Sequence, residues 1–154
     1  NIVMIDSHKE KRTLALKNGA DTALSFEEAT HEKTMELTNN HGFDYVFEET
    51  GLIENDILAM KLAAVCGTII IGASASFGAE PIQVDQFLFR CEKELTMRGS
   101  IQSPYTFERA VAMLPKLSDR LESLVTEIYP LEDIKLALKK QQEGNSIRIL
   151  IKPN

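Results

Sequence analysis

The sequence has few cysteines and no long apolar run. The two cysteines, Cys66 and Cys91, stand in separate apolar segments, and neither belongs to a C-x-x-C pair. This usage is typical of buried free thiols in a reducing compartment rather than of a disulfide scaffold or a zinc knuckle, so we expect a cytoplasmic protein. Apolar stretches such as Ile69–Ile71 are far shorter than the roughly 20 residues that a membrane helix needs, so we expect no membrane partner.

An excess of positive charge is also lacking. Lys and Arg total 17 against 23 Asp and Glu, which gives a net charge of −6. Proteins that bind nucleic acid or anionic membranes need the opposite balance, so we expect no nucleic-acid partner. The length of 154 residues, with 44% hydrophobic residues and no repeat or low-complexity tract, predicts one or at most two compact domains.

Strand and helix patterns alternate along the chain. The apolar run Ile2–Ile5 predicts a strand buried on both faces, as in parallel sheets. Capping boxes that begin at Ser7 and Ser25 predict the first two helices, and Gly19 ends the first one. Further strands are predicted over Thr22–Leu24, Asp44–Glu48, Val65–Ile71, Leu95–Ser100, Val125–Tyr129 and Ile147–Ile151. Further helices are predicted around Ile53–Leu62 and Val84–Lys93, from Ser103 onward, and over Leu131–Glu143. The alternation predicts an α/β fold with a mainly parallel sheet.

Three common motifs are approached but not completed. Gly67–Gly72 has the glycine spacing of a P-loop, but Ala73 stands where the phosphate-binding Lys is required. Gly72–Ser76 nearly matches a nucleophile elbow but lacks its second glycine. His31 begins a zincin-like pattern in which Met35 occupies the place of the second ligand. We therefore expect neither a nucleoside triphosphatase nor an esterase, and no metal site within this chain.

Asp6 is the residue that these eliminations leave. An acid at the carboxyl end of a buried strand can accept two hydrogen bonds from the adenosine ribose of a dinucleotide, and it repels a 2′-phosphate. The position predicts NAD rather than NADP. The alternative is that Asp6 merely caps the next helix, since Asp is a favoured cap residue. A G-x-G-x-x-G fingerprint should precede this acid by roughly 20 residues, but only five residues precede Asp6.

Five segments occur in a characteristic order along the chain: Asp6–Asp21, Gly42–Gly51, Gly67–Gly72, Lys93–Ser100 and Gly144–Ile151. Together they cover essentially the whole chain, so their combination is more specific than any single motif. This ordered set resembles the medium-chain dehydrogenases/reductases, and most closely the zinc-dependent alcohol, polyol and threonine dehydrogenases.

The resemblance implies a subunit with a zinc-holding GroES-like domain and a Rossmann domain for the nicotinamide cofactor. This chain would begin at the second Rossmann strand, so residues 1–101 would form a partial NAD-binding domain that lacks strand 1 and the glycine fingerprint. Residues 102–154 would be a C-terminal segment that packs on the absent catalytic domain. The strands at Ile2–Ile5 and Asp44–Glu48 would then lack their shared neighbour, unless they close on each other.

Three residues would bind the adenosine half of the cofactor. Asp6 would hold the ribose, and Lys11 would donate to the same ribose. Arg148 would reach the pyrophosphate, where its guanidinium can neutralise charge. Lys11 and Arg148 have a simpler alternative, in which both are solvated surface residues.

Five further residues would contact the cofactor. Thr50 and Gly51 would line the cofactor cleft, and Gly72 would let the backbone approach the nicotinamide. The main chain around Ser100 and Gln102 would bond the carboxamide. Gly72 could instead be a strand-end turn. Glu49 departs from the family pattern, which usually has a small residue at that position.

In this family, zinc polarises the substrate alcohol while hydride passes to NAD. The upstream Cys, His and acidic zinc ligands are absent here, so we expect the isolated chain to be inactive and the parent to oxidise a small alcohol, polyol or sugar alcohol. A homo-oligomer, with contacts near Phe87–Ser100, is also implied. Two alternatives stay open: a zinc-independent quinone reductase and a non-catalytic interaction module.

Overall fold

The chain divides into two units, one of which is built from both ends of the sequence. One combines Asn1–Phe26 with Ser103–Asn154, and the other is Glu27–Gln102; we call them the split unit and the central unit. The sequence analysis placed a boundary between residues 101 and 102, with residues 102–154 packed on a catalytic domain outside this sequence. That division stays a prediction. The computed structural model describes residues 1–73, 81–100, 105–144 and 146–153.

The central unit is built on a three-stranded parallel sheet. Its strands are β3 (Phe43–Glu48), β4 (Ala63–Ile71) and β5 (Thr96–Gly99), in the order β3-β4-β5. Helix α3 (Ile53–Leu62) connects β3 to β4, and α2 (His31–Leu37) precedes β3. In the register, Glu48 pairs with Ile71 and Ile71 pairs with Gly99, so the three strands end at one edge.

One face of this sheet carries the core. Met60 of α3 and Ile69 of β4 are fully buried, and a π-helical turn over Phe87–Glu92 contributes Leu88. Tyr45 and Phe47 alternate with the inward residues of β3 and are each 67% exposed. The buried apolar cluster consists of Ala59, Met60, Ala63, Ile69, Leu88 and Leu95.

Lys93 ends α3 from inside the protein. It is only 8% exposed, and its Nζ donates to the carbonyls of Met60 at 3.1 Å, Lys61 at 2.7 Å and Ala63 at 2.5 Å. Burial lowers the pKa of Lys93 and the nearby Glu92 charge opposes that shift. The ammonium thus satisfies carbonyls at the helix end, where a cation is favoured.

The split unit contains two parallel strand pairs. The first is β1 (Val3–Ile5) with β2 (Thr22–Leu24), joined by α1 (Lys9–Lys17). The second is β6 (Val125–Pro130) with β7 (Arg148–Lys152), joined by a 3-10 turn and α5 (Ile134–Gln142). Helix α4 (Phe107–Glu122) has no buried residue, and Phe107 at its start is 75% exposed.

The predicted α/β fold with parallel pairing is confirmed. Within the described ranges, β1 is hydrogen-bonded to β2 alone and β3 to β4 alone, so no additional strand pairs with either of them. The prediction that the first strand is buried on both faces is wrong, because Ile2 is 63% and Met4 41% exposed. In the described residues this strand belongs to a sheet of only two strands.

The predicted burial of the cysteines is also wrong, because both thiols are exposed. Cys66 lies in β4 opposite the register shift between Phe43 and Tyr45, with φ of 59°, and this irregularity turns its side chain outward. None of the helices in the described part of the chain is long and apolar enough to span a membrane.

Candidate cofactor site

The carboxyl edge of the central sheet brings four of the predicted residues to one place. The Gly72 N–H donates to the Glu48 carbonyl at 2.9 Å, and the Ser100 N–H donates to the Ile71 carbonyl at 2.9 Å. Thr50 and Gly51 follow β3 at the same edge. In open α/β sheets, ligands bind outside the carboxyl ends of the strands, so this edge is the candidate site of the central unit.

Glu48 organises the loop after β3. It is only 4% exposed, and its Oε1 accepts the Thr50 N–H at 2.8 Å and the Thr50 hydroxyl. Its Oε2 accepts the Gly51 N–H at 3.2 Å. Gly51 has φ of 70°, a conformation that favours glycine. Asn55 Nδ2 donates to the Thr50 hydroxyl at 2.8 Å, so the loop is tied to the start of α3.

A second buried acid lies beside Glu48. Asp56 is 6% exposed, and burial raises its pKa, with a further contribution from the negative charge of Glu48. The backbone N–H of Gln83 donates to Asp56 and opposes the shift. Two acidic side chains, Glu48 and Asp56, are therefore buried at this edge. The sequence analysis assigned no role to Glu48 or Asp56. Glu48 ends the predicted strand Asp44–Glu48, but the local pattern does not indicate that Asp56 is buried.

Glu49 lies over Gly72. A Cβ atom built on Gly72 would lie 2.1 Å from Glu49 Oε1 and 2.6 Å from Oε2, so the carboxylate occupies the space that the glycine leaves open. Glu48 and Glu49 thus point to different places: the first into its own loop and the second onto the neighbouring strand.

Asp6 stands at the carboxyl end of β1 in the split unit. Its side chain is 21% exposed, and its Oδ1 accepts the His8 N–H at 2.8 Å and lies 3.2 Å from His8 Nδ1. Within the described residues, Oδ2 accepts no hydrogen bond. His8, not Asp6, is the N-cap residue of α1, so the capping alternative describes this acid only in part.

Arg12, which the sequence reading did not include, fixes the chain around Asp6. Its Nη1 donates to the backbone carbonyls of Asp6 at 2.7 Å and Ser7 at 2.8 Å. The only sequence signal for this role is its position in α1, on the element that directly follows the acid.

Lys11 lines a cavity of about 280 Å³ within the split unit, and Asp6 is not among the lining residues. The structure therefore does not bring the Lys11 ammonium and the Asp6 carboxylate into one described pocket. The cavity is lined by Met4, Lys11, Leu14, Ala15, Asn18, Leu124, Gln141, Ser146 and Ile147.

Arg148 is the first residue of β7 and its side chain is exposed. Its carbonyl accepts the Thr126 hydroxyl at 3.3 Å, which leaves the guanidinium outside the strand pairing. Gln102, the remaining predicted residue, lies outside the described residues. The searched part of the chain holds no group of three or more His, Cys, Asp or Glu that could bind a metal.

Solved structures match this fold over the whole chain. An alcohol dehydrogenase from Thermotoga maritima superposes with a TM-score of 0.89 at 21% identity, covering 100% of this chain and 43% of that one. A short chain alcohol dehydrogenase from Escherichia coli CFT073, in complex with the cofactor NADH, superposes with a TM-score of 0.82 at 19% identity, covering 99% and 44%. At these identities the likeness concerns the fold alone.

Sequence relatives agree with the family resemblance. D-arabinitol dehydrogenase 1 of Uromyces fabae is 28% identical over 159 residues, covering 99% of this chain and 44% of that protein. The probable quinone oxidoreductase of Schizosaccharomyces pombe is 29% identical over 143 residues, covering 89% and 42%. The chain thus spans less than half the length of these proteins. The zinc-binding dehydrogenase family matches residues 1–116, and this chain belongs to that family.

Proposed function

We propose that the whole protein is an NAD-dependent oxidoreductase of small alcohols or polyols, and that this chain supplies its cofactor-binding part. The observation that carries the proposal is the Asp6 carboxylate at the end of β1. The polyol assignment is supported by the D-arabinitol dehydrogenase relative.

Asp6 would bind the adenosine ribose. Its Oδ1 is held by His8, while Oδ2 is left for a ligand hydroxyl. The Arg12 guanidinium fixes the backbone beside the acid, so the carboxylate is oriented before the cofactor arrives. A 2′-phosphate would meet this negative charge, which favours NAD over NADP.

The carboxyl edge of the central sheet would hold the nicotinamide half. When bound, the nicotinamide supplies the hydride acceptor or donor. Gly72 and Ser100 are at the strand ends, so their backbone groups could bond the carboxamide and fix the face of the ring. Thr50 and Gly51 would support this edge through Glu48 rather than by direct contact through the Thr50 hydroxyl, which is already used. Lys11 would donate a hydrogen bond to the adenosine ribose. Arg148 would neutralise charge on the pyrophosphate.

Zinc belongs to this family, but the described residues do not fit it, because none of their acidic, His and Cys side chains form a cluster of three. We assign no step to zinc on this chain. We propose that zinc, where the whole protein uses it, is held by residues outside this sequence, and that these 154 residues alone are inactive. A homo-oligomer and a cytoplasmic setting stay predictions.

A quinone reductase is the second candidate, because one relative carries that name at 29% identity. The Asp6 carboxylate argues against NADPH, to which the quinone reductases resembled here tend. Assays of the full-length protein with an alcohol series and a quinone, each with NAD(H) and NADP(H), separate the two candidates.

Fluorescence titration of the full-length protein with NADH tests the cofactor assignment. The Asp6→Ala variant should raise the Kd for NADH about tenfold or more, since a hydrogen bond from a ribose hydroxyl to a charged acceptor is lost. The Kd for NADPH should stay unchanged or fall. Asp119→Asn removes a charge from an exposed residue of α4 in the same unit and should have no effect. Equal losses for NADH and NADPH, or no NADH binding by the wild type, would contradict the assignment.

A further inference from the structure

The Glu49 carboxylate occupies the space beside Gly72, which has no side chain of its own. Its Oε1 lies so close to Gly72 that a Cβ atom there would be 2.1 Å away. Glu48, its neighbour, is engaged with Thr50 and Gly51, so Glu49 is the carboxylate that covers the end of β4. Among the described residues, the Glu49 carboxylate accepts no hydrogen bond, and its side chain is exposed.

Other acidic side chains at this edge add to the negative potential around Glu49. Glu48 and Asp56 are buried at the same edge, only 4% and 6% exposed, so the local potential is negative. A ligand that approaches the Gly72 backbone must either displace the Glu49 carboxylate or lie beside it. A positively charged ligand group would gain from this position, whereas a neutral group of the same shape would not.

We propose that Glu49 makes the protein favour the oxidised over the reduced nicotinamide cofactor. The inference rests on the proposed function, which brings the nicotinamide to Gly72. The oxidised ring carries one positive charge that the reduced ring lacks, and the rest of the cofactor is the same in both forms. A carboxylate beside the ring therefore strengthens the binding of NAD⁺ and leaves that of NADH almost unchanged.

A steric role for Glu49 makes a different prediction. If the side chain were only a cover over Gly72, both cofactor forms would have to displace it at the same cost. Its removal would then tighten the binding of NAD⁺ and NADH by the same factor. The ratio of the two dissociation constants separates charge from cover.

The test measures the Kd of NAD⁺ by calorimetry and that of NADH by fluorescence, on the full-length protein and on Glu49→Gln. This substitution keeps the shape and removes the charge. The ratio Kd(NAD⁺)/Kd(NADH) should rise about fivefold, the size expected for one charge pair at about 4 Å in a solvated setting. Glu49→Asp keeps the charge and should retain most of the wild-type ratio.

Glu94→Gln is the matched control. Glu94 is exposed and precedes β5, at the opposite end of the strand from Ser100. Glu94→Gln therefore removes the same charge at the amino edge of the sheet, and it should leave the ratio unchanged. A ratio in Glu49→Gln that equals the wild-type ratio overturns the proposal, as does a parallel change in both constants. Wild-type protein that binds neither form contradicts the proposed function itself, a result distinct from binding with an unchanged ratio.

Discussion

The central unit and the split unit differ in their internal packing. The central unit buries a contiguous apolar cluster in which Met60 and Ile69 are fully inaccessible. In the described part of the split unit, the buried residues are Leu24, Ala137 and Ser146. These three form no comparable cluster, so this unit has little fully buried apolar core of its own.

This difference bears on the candidate site. The edge that we propose for the nicotinamide, with Gly72 and Ser100, belongs to the unit that has its own core, and packed elements hold functional groups more precisely than loops do. Asp6 lies in the unit with little core, and its orientation depends on the bonds from His8 and Arg12. We therefore expect the stability of the chain to be governed by the central unit, and the proposed ribose contact of Asp6 to depend on these local hydrogen bonds.

Replacing one methionine in each unit should give the largest contrast. Met60→Ala removes a fully buried side chain of the central core, and we expect it to lower the free energy of unfolding by about 3 kcal/mol. Met113 of α4 is 52% exposed, so Met113→Ala should change stability by less than about 0.5 kcal/mol. Urea unfolding midpoints measure both. Similar losses for the two variants would show that the split unit is packed as tightly as the central one.

Two glycines with positive φ give a smaller contrast of the same kind. Gly42 has φ of +88°, and an added Cβ would lie 2.8 Å from the Ala64 backbone, whereas Gly19, at +108°, would meet the Arg120 side chain at 3.6 Å. Gly42→Ala combines backbone strain with a clash that cannot relax easily, and should cost about 2 kcal/mol. Gly19→Ala should cost about 1 kcal/mol, the strain alone. Thermal unfolding that ranks Gly19→Ala as the more damaging change would contradict this account.

The sequence predicted elements with strong patterns and clear ends. Strand β2 and helix α3 have the predicted bounds, because Gly19 precedes the first and the apolar face of the second is regular. The start of α2 was wrong: a capping box at Ser25 predicted it, but the helix begins at His31, and the Thr30 hydroxyl accepts the Lys33 N–H at 3.2 Å. A cap contributes only about 1 kcal/mol, too little to decide between neighbouring candidates.

The site was predictable as positions but not as contacts. Asp6 and Gly72 follow strands, and parallel strands end at one edge, so strand assignment was enough to place each on its own sheet edge. The contact of Glu49 with Gly72 and the burial of Asp56 depend on side-chain conformations and on segments distant in sequence, such as Gln83. Local patterns contain no information on either.

The smallest expected effect is a gain in stability, and it tests the acidic edge of the central unit. The pKa of Asp56 is raised in the folded state by burial first and by Glu48 second. A raised pKa favours folding fully below the unfolded value, and this contribution is lost as pH rises through the folded value. Asp56→Asn should therefore be more stable than the wild type at pH 7, by about 1 kcal/mol or less, and the advantage should vanish as the pH falls below the ordinary range of an aspartate. Asp44→Asn, at a residue whose side chain is 73% exposed, provides the control in urea unfolding across this pH range. An Asp56→Asn advantage that stays constant with pH would mean that packing, and not the carboxylate charge, sets the difference.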